Sequence, residues 1–127
     1  MQTYILKDVR AAAILTNAYV AGTVIGIDEL HTDLNNQLVL YIDFTIGSLT
    51  TGEIKIEFSN DNSDYYQESS ESITTGVGTV SVLVHRFGAT GKFRIPVPMK
   101  DKFVKISAIG NGTVTSSSMK ISGIVGI

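Results

Sequence analysis

Cysteine and tryptophan are absent from this 127-residue chain, proline occurs twice, and charged residues make up 17%, below the usual quarter. Without cysteine there is no disulfide scaffold, no thiolate metal site and no cysteine nucleophile. Alanine stands at only seven positions, and no long segment repeats apolar residues every three to four places, which argues against a helical protein. A net charge of −2 and a pI near 5.6 argue against general nucleic-acid binding. Residues 11–27 are uncharged and follow Lys7 and Arg10, a faint outline of a targeting segment. Asp8, Thr16, Asn17, Thr23 and two glycines interrupt that outline, and it is short for a membrane span. The better reading is a buried strand over residues 19–27.

What is present favours strands. The chain is 43% hydrophobic, with 15 isoleucines and 12 valines, and serine, threonine and glycine add 37 residues more. β-Branched side chains fit a pleated surface, and glycine with Ser/Thr punctuates it. The length is that of a single domain, 1–127, with residues 1–12 as a candidate extended arm.

Residues 38–46 form the longest apolar strand, closed by Gly47 and Ser48. Residues 53–58 alternate: Ile54, Ile56 and Phe58 face a core, while Glu53, Lys55 and Glu57 face water. Residues 59–63 are a turn, because Asn and Asp side chains bond their own backbone and tolerate left-handed φ. Residues 64–68 return as the partner strand, and the polar, glycine-bearing stretch 69–78 reads as a loop. Residues 79–85 resume the sheet, and the glycines at 88 and 91 mark a hairpin. Residues 92–98 alternate again, but Pro96 and Pro98 cannot donate ladder bonds, which places this strand at a sheet edge. Residues 103–109, 113–115 and 119–127 are further strands, with a turn at Gly110-Asn111-Gly112. The only weak helical stretch, 27–36, holds Asp28, Glu29, His31 and Asp33 and reads as a solvated turn.

About eight strands at this spacing describe an all-β protein, a two-layer antiparallel sandwich of jelly-roll type.

Candidate chemistry is sparse. His31 and His85 are far apart, and neither has a ligand at metal spacing. Asn60, Asn62 and Asp64 alternate as in a calcium loop, and Glu71 falls at the twelfth place, but Tyr65 occupies the sixth, where a glycine belongs. An Asx turn is the better account. Gly88-Ala89-Thr90-Gly91-Lys92 lacks the spacer and the hydroxyl of a phosphate loop. No G-x-S-x-G elbow occurs, and acid pairs such as Glu53 and Glu57 would need a cleft to act. The expectation is a protein that is not an enzyme, with no cofactor, no metal and no small-molecule ligand.

Charge is distributed unevenly. Residues 53–71 hold six acids, among them Glu53, Glu57 and Glu68, against one lysine, a local net of −5. Residues 86–105 hold six bases, among them Arg86, Lys92 and Arg94, against one aspartate, a local net of +5. Either the two segments neutralise each other within one subunit, or they face neighbouring subunits head to tail. The apolar C-terminal run ending in Ile124 and Ile127 must be paired or buried, since a free apolar edge invites aggregation. Arg86, Lys92, Arg94, Glu53, Glu57, Glu68, Ile124 and Ile127 are therefore the candidate assembly residues.

Three stretches, AILTNAYVAGT at 13–23, GEIKIEFSND at 52–61 and GNGTVTSSS at 110–118, resemble small β-sandwich structural proteins of tailed-bacteriophage virions. The middle one, an alternating strand running into Phe58-Ser59-Asn60-Asp61 and then Tyr65-Tyr66, carries most of the likeness. Where other such modules place glycine after the aspartate, this chain has Asn62. The resemblance implies a capsid decoration or auxiliary protein, a head-fibre or collar piece, or a tail module. It implies a homo-oligomer contacting other virion proteins, with no membrane or nucleic-acid partner. Such a protein is made in the bacterial cytoplasm and needs neither a signal peptide nor disulfides. The alternative is a carbohydrate- or receptor-binding sandwich of a phage tail. With no tryptophan, its aromatic platform is limited to Tyr65 and Tyr66.

Overall fold

A computed structural model describes residues 4–26, 37–98 and 101–126. Twelve strands occur among them, and no helix. They are β1 (Tyr4–Ala13), β2 (Val20–Ala21), β3 (Ile25–Gly26), β4 (Gln37–Thr45), β5 (Leu49–Ser59) and β6 (Tyr66–Gln67). Then follow β7 (Ser69–Thr74), β8 (Val77–Val82), β9 (His85–Phe87), β10 (Gly91–Pro98), β11 (Phe103–Gly112) and β12 (Ser118–Gly126).

The strands form two facing sheets. One runs β1-β12-β4-β10; the other has β11 and β5 at its centre, flanked by β2 and β3 on one side and by β6 and β9 on the other. First pairs with last throughout: β1 with β12, β2 and β3 with β11, β4 with β10, and β5 with β9, all antiparallel. A long ribbon folded back on itself and then wrapped, with β12 meeting β4 and β11 meeting β5, gives this order. That is a jelly roll. Taking β2 and β3 as one interrupted strand, and leaving β6 and the β7–β8 hairpin as additions, the roll has eight strands.

The alternation read from sequence explains why the sheets stick. Leu38, Leu40, Ile42 and Phe44 of β4 and Met119, Ile121 and Val125 of β12 are buried against Ile54, Ile56, Val104, Ile106 and Ala108 of the opposite sheet. At one end Phe87 packs between Phe44 and Phe93, at centroid distances of 5.8 and 4.9 Å. Gly52 lies under the Phe44 ring, where a Cβ would come within 2.7 Å of it.

Several local expectations are corrected. Residues 4–12 of the candidate arm belong to β1, an edge strand of the first sheet. The continuous buried strand expected at 19–27 is instead two short bridges, β2 exposed and β3 buried at Ile25. Between them the Gly22 N–H donates to the Ile106 carbonyl, and a Cβ at Gly22 would lie 2.5 Å from the Val9 oxygen. Stretch 69–78 is not a loop but most of a β-hairpin. Residues 79–82 belong to that hairpin rather than to the main sheet. The glycines at 88 and 91 bound a crossover between sheets, since β9 pairs with β5 and β10 with β4. Gly110-Asn111-Gly112 does not turn; β11 runs through it, with a register shift at Gly112. The turn comes at Thr115 and Ser116, so no strand covers 113–115. The weak helical stretch at 27–36 lies outside the described residues, as does Ile127. The edge position expected for residues 92–98 is observed: β10 ends its sheet.

Candidate assembly surface

The charged candidates divide between two faces. On the outer face of the second sheet, register places Glu53 of β5 opposite Arg86 of β9. Arg86 donates to one oxygen of Glu53 at 2.7 Å, and the Tyr19 hydroxyl donates to the other at 3.3 Å. Glu53 is only 9% exposed, so the expectation that it faces water is overturned. A buried carboxylate requires such partners, because leaving it unpaired is costly. Burial, and then the Glu53 charge, push the Tyr19 hydroxyl above its usual pKa. Lys55 lies 4.6 Å from the centre of the Tyr19 ring and 3.6 Å from Glu57. His85 Nε2 lies 2.9 Å from Glu68 Oε1. Glu53, Glu57, Glu68 and Arg86 are thus satisfied within one chain.

The neighbouring turn is built from its own side chains. Asp61 accepts from the backbone N–H groups of Asp64 and Ser63 and from the Ser59 hydroxyl, which holds its carboxyl below the ordinary value of 3.8. Asn62 takes left-handed φ of 58° and accepts from the Tyr65 hydroxyl. These oxygens serve the turn, and Glu71 is carried off into β7, so the calcium-loop positions do not converge. Among the described residues, no group of three or more His, Asp or Glu side chains could hold a metal ion. Lys105 covers the Tyr65 ring at 4.0 Å, whereas Tyr66 is 72% exposed.

The other basic candidates, Lys92 and Arg94, lie on the outer face of the first sheet. Register aligns Lys120, Asp43 and Lys92 in one row and Asp8, Ser122, Tyr41 and Arg94 in the next, three bases against two acids. Lys92 sits 3.3 Å from Asp43; Arg94 and Lys120 make no ion pair or hydrogen bond among the described residues. Apart from Asp8, these rows line a shallow depression of about 310 Å³. The next row along is apolar: Leu6, Ile124, Val39 and Pro96, with Leu6 65% exposed and Ile124 half-buried.

Sequence reasoning missed the most exposed apolar surface. The β7–β8 hairpin springs from the sheet edge between β6 and β9 and pairs with no other strand among the described residues. Its register sets Ser69 opposite Val82, Glu71 opposite Val80 and Ile73 opposite Gly78, so these six share one face. Ile73, Val80 and Val82 on that face are 70%, 65% and 61% exposed. The opposite face carries serines and threonines with Val77. Glu71 is the one charge in residues 69–84. The signal was the alternation Thr79-Val80-Ser81-Val82, which marks an amphipathic strand without saying that its partner sheet is absent.

No family model matches the chain, and no curated protein matches it. Among solved structures, one from Bacillus endospore appendages, described as a novel family of disulfide-linked pili, superposes with a TM-score of 0.48 at 12% identity. The match covers 99% of this chain and 88% of that one. The present chain has no cysteine with which to make a disulfide link.

Proposed function

We propose that this protein is a non-enzymatic structural component of a tailed-phage virion, capsid-associated, that works through repeated protein–protein contact. The observation that carries the assembly part is the unpartnered apolar face of the β7–β8 hairpin. An isolated two-stranded hairpin is marginal in water, and an exposed apolar strand invites pairing. Full burial of one Val or Ile side chain stabilises by about 1.5–3 kcal/mol, so covering three that are two-thirds exposed contributes on the order of 3–6 kcal/mol before association entropy. An exposed ion pair contributes about 0–1 kcal/mol. The apolar face, not the charge, therefore drives the contact.

The virion placement rests on the sequence resemblance. Mass spectrometry of purified virions, with cryo-microscopy to place the density, tests it. The expected result is this chain at a copy number comparable with the shell or neck proteins. Its absence from intact virions would overturn the placement.

A further inference from the structure

Building on that assembly reading, the geometry points to the surface that receives the hairpin: the outer face of the β1-β12-β4-β10 sheet of a second copy, with Glu71 seated on Arg94 and Lys120.

Both surfaces carry an unsatisfied charge of opposite sign. Glu71 makes no ion pair or hydrogen bond among the described residues, yet it stands between Val80 and Ile73 on the apolar face. It leans over Gly78, where a Cβ would lie 2.9 Å from its carboxyl carbon. Covering that face buries the carboxylate, which is unfavourable unless a cation meets it. Arg94 and Lys120 are the complementary pair, flanking the depression beside Tyr41.

The spacing agrees as well. On one face of a strand, side chains recur every two residues, or about 6.6–6.8 Å. On the hairpin one such step leads from Glu71 to Ile73. On the receiving sheet one step leads from Arg94 to Pro96 and from Tyr41 to Val39, out of the row that carries Arg94 into the apolar row with Ile124 and Leu6. Charge and apolar surface are thus laid out at the same interval on both sides.

The occupant is a second copy because this one chain carries both halves of the match, the acid on an exposed apolar hairpin and the unpaired bases on the first sheet. Hairpin and receiving face are different surfaces, so the contact closes as a two-fold pair that exchanges hairpins or runs head to tail into rings or filaments.

Sedimentation velocity on the full chain tests this with Glu71→Lys, with the pair Arg94→Glu and Lys120→Glu, and with all three together. Circular dichroism confirms that each remains folded. The wild type is expected to associate as concentration rises, and each set of reversals to weaken association at least about tenfold. The combined chain, with its charges exchanged, is expected to recover association. Three results overturn the proposal: a wild type that stays monomeric near millimolar concentration, association unchanged in the Arg94 and Lys120 variant, or a combined chain that stays apart. If the Arg94 and Lys120 variant associates normally while Ile73→Thr, Val80→Thr and Val82→Thr together abolish association, the receiving surface is wrong but the hairpin reading stands. If both sets leave association intact, the hairpin reading falls too.

Discussion

Arg86 and Glu53 meet across the β5–β9 register of a single chain, guanidinium to carboxylate at 2.7 Å, with the carboxylate buried and the guanidinium largely in solvent. The asymmetry sets the effect of each substitution. Removing Arg86 leaves Glu53 with only the Tyr19 hydroxyl. Arg86→Ala is therefore expected to lower stability by about 1–3 kcal/mol in denaturant unfolding. Lys92→Ala breaks only the exposed pair with Asp43 and is expected to stay within about 0.5 kcal/mol of wild type. Equal effects from the two variants would contradict this reading of the Glu53 site.

The hairpin turn holds a second test. Thr75 and Gly76 both have positive φ, 53° and 76°, as a two-residue turn between twisted strands requires. Glycine adopts this freely, but a β-branched residue in the left-handed region is strained by about 1–2 kcal/mol. Thr75→Asn is expected to tighten the hairpin, seen as slower amide exchange in residues 69–82 with the core unchanged. Faster exchange there would show that the strain is not where the backbone places it.

Acid should loosen the turn at 59–64 before it unfolds the sandwich. The Asp61 carboxyl is held below 3.8 by the N–H groups of Asp64 and Ser63 and by the Ser59 hydroxyl. A depressed carboxyl contributes stability that is present above its unfolded value and lost as pH falls through its folded one. The amide resonances of Ser63 and Asp64 are expected to stay put down to about pH 4 and to shift below it. Shifts already complete at pH 5 would be inconsistent with those hydrogen bonds.

Core packing gives the largest effects. Ile56 is fully buried between the sheets, and Ile56→Ala is expected to destabilise by about 2–5 kcal/mol. Gly52→Ala pushes a methyl group against the buried Phe44 ring and is expected to cost about 1–3 kcal/mol. Thermal unfolding checks both. A neutral Gly52→Ala would mean that the Phe44, Phe87 and Phe93 cluster can shift.

The roll was largely legible because its strands bury one face. In β4, β5 and β12, alternate Leu, Ile, Phe and Met residues declare which side points inward, and Pro96 and Pro98 mark β10 as an edge. Alternation cannot say whether the other face is covered, so Glu53 reads as solvated although β9 and Tyr19 close over it. Glycine was the other source of error. Gly22 interrupts a strand because Val9 lies against it, whereas Gly112, at φ of 96°, bulges a strand that reads as a turn. Of the proposed assembly surface, the sequence marked Lys92, Arg94 and Ile124 but not Glu71 or Lys120, and its other charged candidates, Glu53, Glu57, Glu68 and Arg86, pair within the chain. The hairpin at 69–82 buries nothing, so its serines and glycines look like a loop, and its apolar face emerges only from the register.

Amide hydrogen exchange across residues 69–82, compared between dilute and assembled protein, tests most directly that this hairpin is an interface. In the dilute monomer these amides should exchange nearly as fast as open chain, because a lone hairpin has little local stability. On assembly they should slow by at least about tenfold, while the amides of β5 and β11 stay as they were. Hairpin amides that exchange equally fast in both states would contradict the account.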